Sequence, residues 1–145
     1  MSITYNSCKP VTSKHNEHND CTVKALAIAT NSPYIKAHAV LASLGRVNRR
    51  GVNSLLWDCG TAETALKNLG FTAKTITVPA KTIASLSNYL DPSKRYICTV
   101  RGHALAYANG KVEDWSEGSK RRILKIQEVT PIQSKNAARK AARYL

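Results

Sequence analysis

Acid is scarce in this chain: nine Asp and Glu stand against 22 Lys and Arg, for a formal charge of +13 at pH 7. A field of that sign attracts nucleic acid, anionic membrane or acidic protein, and by itself names none of them. Aromatic residues are also few, at 6%, and no stacking motif or recognised nucleic-acid-binding pattern is present. No apolar run reaches spanning length, and Met1-Ser2-Ile3-Thr4 does not open a signal peptide. The expectation is a soluble, cytoplasmic protein with no membrane span. Cysteine is limited to Cys8, Cys21, Cys59 and Cys98, without a CxxC pair. A reducing compartment leaves these as thiols, although the even count permits a disulfide. There is no internal repeat, and nothing calls for a cofactor or a metal. With 145 residues, 43% of them apolar, one domain with its own core is expected over 1–132. A basic tail, 133–145, follows it.

Helix signals come first along the chain and strand signals afterwards. Residues 1–18 are polar without periodicity and are expected to be an irregular lead-in. Asn19 or Asp20 can cap a helix over Cys21–Thr30, with Val23, Leu26 and Ala27 on one face. Ser32-Pro33 opens a second helix that Gly45 stops, with Tyr34, Ala37, His38, Leu41 and Leu44 at helical spacing. A third helical stretch runs from Gly60-Thr61 to Leu69, and a strand from Phe71 to Val78. Thr82–Leu90 reads as a short helix ended by Asp91-Pro92. Strands are then expected at Arg95–Val100, His103–Ala108, Lys111–Trp115 and Ile123–Val129. Asn109-Gly110 between two of them is a hairpin signal. The fold class is therefore α+β, N-terminal helices packed on a C-terminal antiparallel meander.

Three residues carry candidate chemistry. Cys21 stands at the first turn of its helix, where free amides and the macrodipole favour a thiolate, and Lys24 lies one turn on. The bland alternative is a small buried hydrophobe. His103 follows Gly102 at a strand start. A two-residue turn at Asn109-Gly110 pairs positions that sum to 219, so Leu105 faces Asp114 and His103 faces Ser116. Side chains alternate along a strand, which puts His103, Leu105, Tyr107, Val112 and Asp114 on one face and Glu113 on the other. A carboxylate diagonal to the histidine, about 7–8 Å away by backbone, can hold the tautomer and steady an imidazolium.

The stretch NDCTVKALAIAT (19–30), with PY and a helix after it, resembles small phage and bacterial papain-like proteins. GHALAYANGKVEDW (102–115) is similar to the His and Asp hairpin of the same superfamily, which includes the bacteriocin-processing double-glycine peptidases. The order fits, with the histidine 82 positions after the cysteine and the acid 11 further on. The resemblance covers roughly 15–130. It implies a papain-like fold and thiol hydrolase chemistry, most often peptide-bond cleavage, with Cys21 as nucleophile, His103 as base and Asp114 as its orienter. The implied substrate is a protein or peptide, met in the host-cell cytoplasm if the chain is phage-encoded; the basic charge is compatible with one that is acidic or nucleic-acid-bound.

In one respect the chain departs from that family. Papain-like peptidases usually carry a glutamine ahead of the cysteine to donate to the oxyanion, and 14–20 has none. Asn16, Asn19 and His15 are the stand-ins beside the Cys21 amide, with Asn16 preferred; one such donor is worth on the order of 10²–10³ in rate. Without it the chain would be a slow enzyme or an inactive scaffold kept for interaction. Two rival readings use other residues. Arg46, Arg49, Arg50, Arg121 and Arg122, with Lys120 and the tail's Arg139, Lys140 and Arg143, could track phosphates in weak nucleic-acid binding. His15-x2-His18-x2-Cys21 has zinc-ligand types but lacks a helical or knuckle pattern, and a fourth ligand would have to come from Cys8 or elsewhere.

Overall fold

The computed structural model describes residues 2–14, 17, 19–50 and 60–132. Among these, the helices are α1 (Tyr5–Lys14), α2 (Cys21–Thr30), α3 (Tyr34–Ser43) and α4 (Ala62–Asn68). The strands are β1 (Phe71–Ile76), β2 (Arg95–Val100), β3 (His103–Ala108), β4 (Lys111–Glu113) and β5 (Ile123–Pro131). Helices come first and an antiparallel sheet comes second, so the class is α+β as expected. No helix of the described residues is long and apolar enough to cross a membrane.

α2 is the axis of the helical layer. Eight of its ten residues are buried, so it is apolar nearly all round rather than amphipathic. It ends in a Schellman motif: Asn31 takes the left-handed conformation (φ 51°), Ser32 N–H donates to Ala27 O at 2.9 Å and Asn31 N–H to Ile28 O at 3.2 Å. α3 ends the same way at Gly45, with Arg46 N–H donating to Leu41 O and Gly45 N–H to Ala42 O. Alanines on α2 (25, 27, 29) and on β3 (104, 106, 108) share one core with Val23, Leu26, Leu41 and Leu66. Small side chains on both surfaces let helix and strand approach closely, which brings the start of α2 to the start of β3.

The opposite sheet face carries a second core. Tyr96, Cys98, Leu105, Tyr107 and Val112 pack there against Ile83, Leu86 and Leu90. Fully burying such a side chain is worth about 1.5–3 kcal/mol, so the odd and even residues of β3 are each anchored and register slip is disfavoured. β3 and β4 pair Ala106 with Glu113, Tyr107 with Val112 and Ala108 with Lys111, the register that the two-residue turn dictates. Asn109 (φ 56°) and Gly110 (φ 77°) both take positive φ, as a type I′ turn requires.

Several expectations are corrected. The lead-in is not wholly irregular: Tyr5–Lys14 is helical, although Pro10 lies inside it. Thr4 and Ser7 cap it reciprocally, Ser7 N–H to Thr4 Oγ1 at 3.0 Å and Thr4 N–H to Ser7 Oγ at 2.9 Å. Tertiary burial of Cys8, with Ile3, Tyr5 and Val11 packed against the same core, completes it. The sheet is not a plain meander, since its order is β1-β5-β2-β3-β4. Only β2-β3-β4 follow in sequence; β5 returns to fill the place between β1 and β2. Thr82–Leu90 yields a 3-10 helix over Ile83–Asn88, capped by Thr82 and Ser85. β1 stops at Ile76 and β4 at Glu113, so Asp114 lies just beyond the ladder.

Candidate active site

Cys21 is the first residue of α2 and His103 the first of β3. Asp114 follows β4, where the chain turns away. The His103 Nε2 and the Asp114 Oδ2 are 2.7 Å apart, and the Cys21 thiol is hydrogen-bonded to the same imidazole. Since Nε2 faces the carboxylate, Nδ1 is the ring nitrogen left for sulfur. Asp114 Oδ2 also accepts the Ser116 N–H at 3.1 Å and a short bond from the Ser116 hydroxyl. Ser116 thereby fixes the same carboxylate oxygen that meets the histidine, and the histidine is fixed by the carboxylate.

These contacts set the charges. Burial raises the Cys21 pKa, but bonds from His103 and the Ala104 amide, with attraction to the imidazolium, bring it below the ordinary thiol value. Burial lowers that of His103, but bonds to Asp114 and Cys21 and the charges of both carry it up to about 9. Both shifts favour a thiolate–imidazolium pair. The other described thiols go the opposite way: burial pushes Cys8 up to about 11 and Cys98 up to about 12. Cys59 lies outside the described residues.

An open cleft of about 480 Å³ exposes Cys21 and His103, with Tyr5 and Trp115 among its walls. The Trp115 ring lies 5.2 Å from the His103 ring and is itself 58% exposed, so it shields the imidazole while facing solvent. Asp20, beside the cysteine, does not cap α2 with its side chain. Its Oδ2 accepts from Thr12 at 2.9 Å and from the Tyr34 hydroxyl at 2.7 Å. Inward anchoring of this carboxylate leaves the first-turn amides of α2 without that cap, and available to an anion. Lys24 pairs with Asp20 at 3.4 Å and lies over the Tyr5 ring.

Glu17 was not legible as a site residue. Its buried carboxylate accepts from both outer nitrogens of Arg46 (2.7 and 3.1 Å) and from Arg49 N–H (2.6 Å), and it bonds His38 (2.6 Å). Arg46 therefore spends its guanidinium inside the protein, 2% exposed, rather than on a phosphate. Arg49, Arg50, Arg121 and Arg122 are exposed. Asn19 borders the cleft and donates to Arg49 O at 3.3 Å. Asn16, His15 and His18 lie outside the described residues, as does the tail with Arg139, Lys140 and Arg143. Among the described residues no cluster of three or more metal-ligating side chains occurs. Trp115 and Tyr5 were missed as well. Trp115 had one signal, its place next to Asp114, whereas Tyr5 stood in a segment read as irregular.

Compared with protein-family models, with curated proteins and with solved structures, the chain matches none.

Proposed function

We propose that this protein is a papain-like cysteine hydrolase, most simply a peptidase. The observation that carries the reading is the chain of hydrogen bonds from Cys21 through His103 to Asp114 at an open cleft. The Cys21 thiolate attacks a carbonyl carbon, and the oxyanion is met by the Cys21 amide at the α2 terminus, with Asn16 the proposed side-chain donor. His103 gives its proton to the leaving amine as the tetrahedral adduct collapses to a thioester. Water then attacks the thioester, His103 takes the water's proton, and Cys21 leaves as the thiolate. Asp114 holds the ring in place and offsets its charge throughout. Amide, isopeptide and glutamine side-chain substrates all suit the same three residues.

Labelling with a peptidyl electrophile such as a vinyl sulfone tests this. Wild type should form a covalent adduct at Cys21, with no adduct in Cys21→Ala. His103→Ala should slow adduct formation by at least about 100-fold, the scale of acid–base assistance. Labelling spread evenly over the cysteines, or indifferent to His103, would refute the hydrolase and leave an inactive scaffold.

The second reading, a basic nucleic-acid-binding module, has the exposed Arg49, Arg50, Arg121 and Arg122 in its favour. The burial of Arg46 against Glu17 removes one cation from it.

A further inference from the structure

The charges around the cleft are not balanced. The two carboxylates that line it, Asp20 and Asp114, are both taken up internally, by Thr12, Tyr34 and Lys24 in one case and by His103 and Ser116 in the other. Lys24, which lines the cleft, is paired with Asp20, but two cations at its margin are not taken up in this way. Trp115, on one side, carries the Arg121 guanidinium 5.1 Å from its ring centre. Tyr5 carries the Lys9 ammonium at 5.2 Å as well as that of Lys24. Arg121 and Lys9 are both solvent-exposed, and no described acid forms an ion pair with either. Neither lines the cleft itself, but each rests on an aromatic ring that does, so an unneutralised cation stands behind each aromatic wall. Because Trp115 touches His103 on one hand and Arg121 on the other, the guanidinium lies within about 10 Å of the imidazole.

We propose that the cleft selects acidic peptide segments, with Arg121 and Lys9 as the specificity-determining residues that meet Asp or Glu flanking the bond attacked. This rests on the hydrolase reading. Peptide is favoured over nucleic acid as the occupant because the cleft opens onto a thiol and imidazole pair, which needs an acyl carbon to act on. A cation held on an aromatic face is also partly oriented before a carboxylate arrives, so less side-chain freedom is lost when it binds.

Charge selection is separable from thiol reactivity by alkylating the full chain with iodoacetamide, which is neutral, and iodoacetate, which is an anion with the same leaving group. Rates are read on the Cys21 peptide by mass spectrometry. The imidazolium is common to every variant, so the iodoacetate-to-iodoacetamide ratio compared between variants reports the distal cations. In Lys9→Gln/Arg121→Gln the ratio should fall about two- to fivefold at low salt, as expected when water-screened charges at the margin, Arg121 roughly 10 Å from the imidazole, are removed. The iodoacetamide rate should not change. A Glu-rich peptide should protect wild-type Cys21 from iodoacetamide, and should lose that ability in the double variant; a Lys-rich peptide should not protect. An unchanged ratio, or protection by an oligothymidylate but not by the Glu-rich peptide, would overturn the proposal while leaving the hydrolase intact. Failure of iodoacetamide to label Cys21 in the wild type would overturn both.

Discussion

Two groups in contact, Cys21 and His103, move their pKa values in opposite directions; each contributes to the other's shift, and Asp114 does most to raise that of His103. The thiol is held below its ordinary value and the imidazole is raised to about 9, both in the direction that favours the ion pair. Cys21 alkylation should therefore persist well below the pH where a free thiol fades, and step once more near pH 9 as the imidazolium gives up its proton. Asp114→Asn removes the bond that lifts the histidine, so that upper step should move to lower pH. His103→Ala leaves burial as the largest influence on Cys21, so the onset of its alkylation should move up to the ordinary thiol range or above it. Initial alkylation rates across roughly pH 5–10 measure all three. An upper step that stays in place in Asp114→Asn would show that the carboxylate does not govern His103.

The β3–β4 hairpin is the element on which the site turns. Its two-residue loop fixes the pairing, and the pairing sends Asp114 toward His103 while Glu113 goes to the other face. There Glu113 is not idle. It is buried and accepts from the Asn109 amide at 2.9 Å, which braces the turn. Gly110→Ala forces a side chain onto a φ of +77°, although Pro92 Cβ at 3.6 Å leaves ordinary room for the new methyl. The cost is conformational and should be about 1 kcal/mol in urea unfolding. Glu113→Gln should likewise cost stability, by about 1 kcal/mol, and leave the Cys21 alkylation rate as it was. A Cys21 rate that drops with Glu113→Gln as far as with Asp114→Asn would mean that the two acids do not divide the roles in this way.

For the whole molecule, the Glu17 cluster ties the approach to α2 to the loop after α3. Burial would raise the Glu17 pKa, yet the bonds from Arg46, His38 and the Arg49 amide win and hold it at about 2. A carboxylate lowered on folding stabilises the fold above its unfolded value. That contribution is lost as the pH falls through about 4 towards the folded value. Glu17→Gln should cost about 3–5 kcal/mol at pH 7, the scale of breaking a buried pair, and should flatten the fall in stability between pH 5 and pH 3 (a window set by roughly the carboxylate range). Urea titrations at those two pH values decide it. Equal acid sensitivity in wild type and variant would remove Glu17 from the account.

The sequence by itself determined the local structure wherever the cause was local. Residues 21–30, 95–100 and 103–108 form elements at the bounds expected of them because their periods, caps and flanking glycines act within a few residues. The Asn109-Gly110 turn carried the strand parity, and through it the choice of Asp114 over Glu113 for the histidine's face. Tertiary structure decided the rest. The α1 helix has sparse apolar spacing and an internal proline, and it stands by burying Cys8 against α2 and α3. The place of β5 between β1 and β2 depends on which strand edges were still unpaired, which no window of sequence records. The pairing of Glu17 with Arg46 joins residues 29 apart, and the Tyr5 and Trp115 walls come from positions far apart in the sequence. Sequence spacing sets periods, turns and caps, but only folding brings distant side chains within hydrogen-bond reach and sets how strongly each is desolvated.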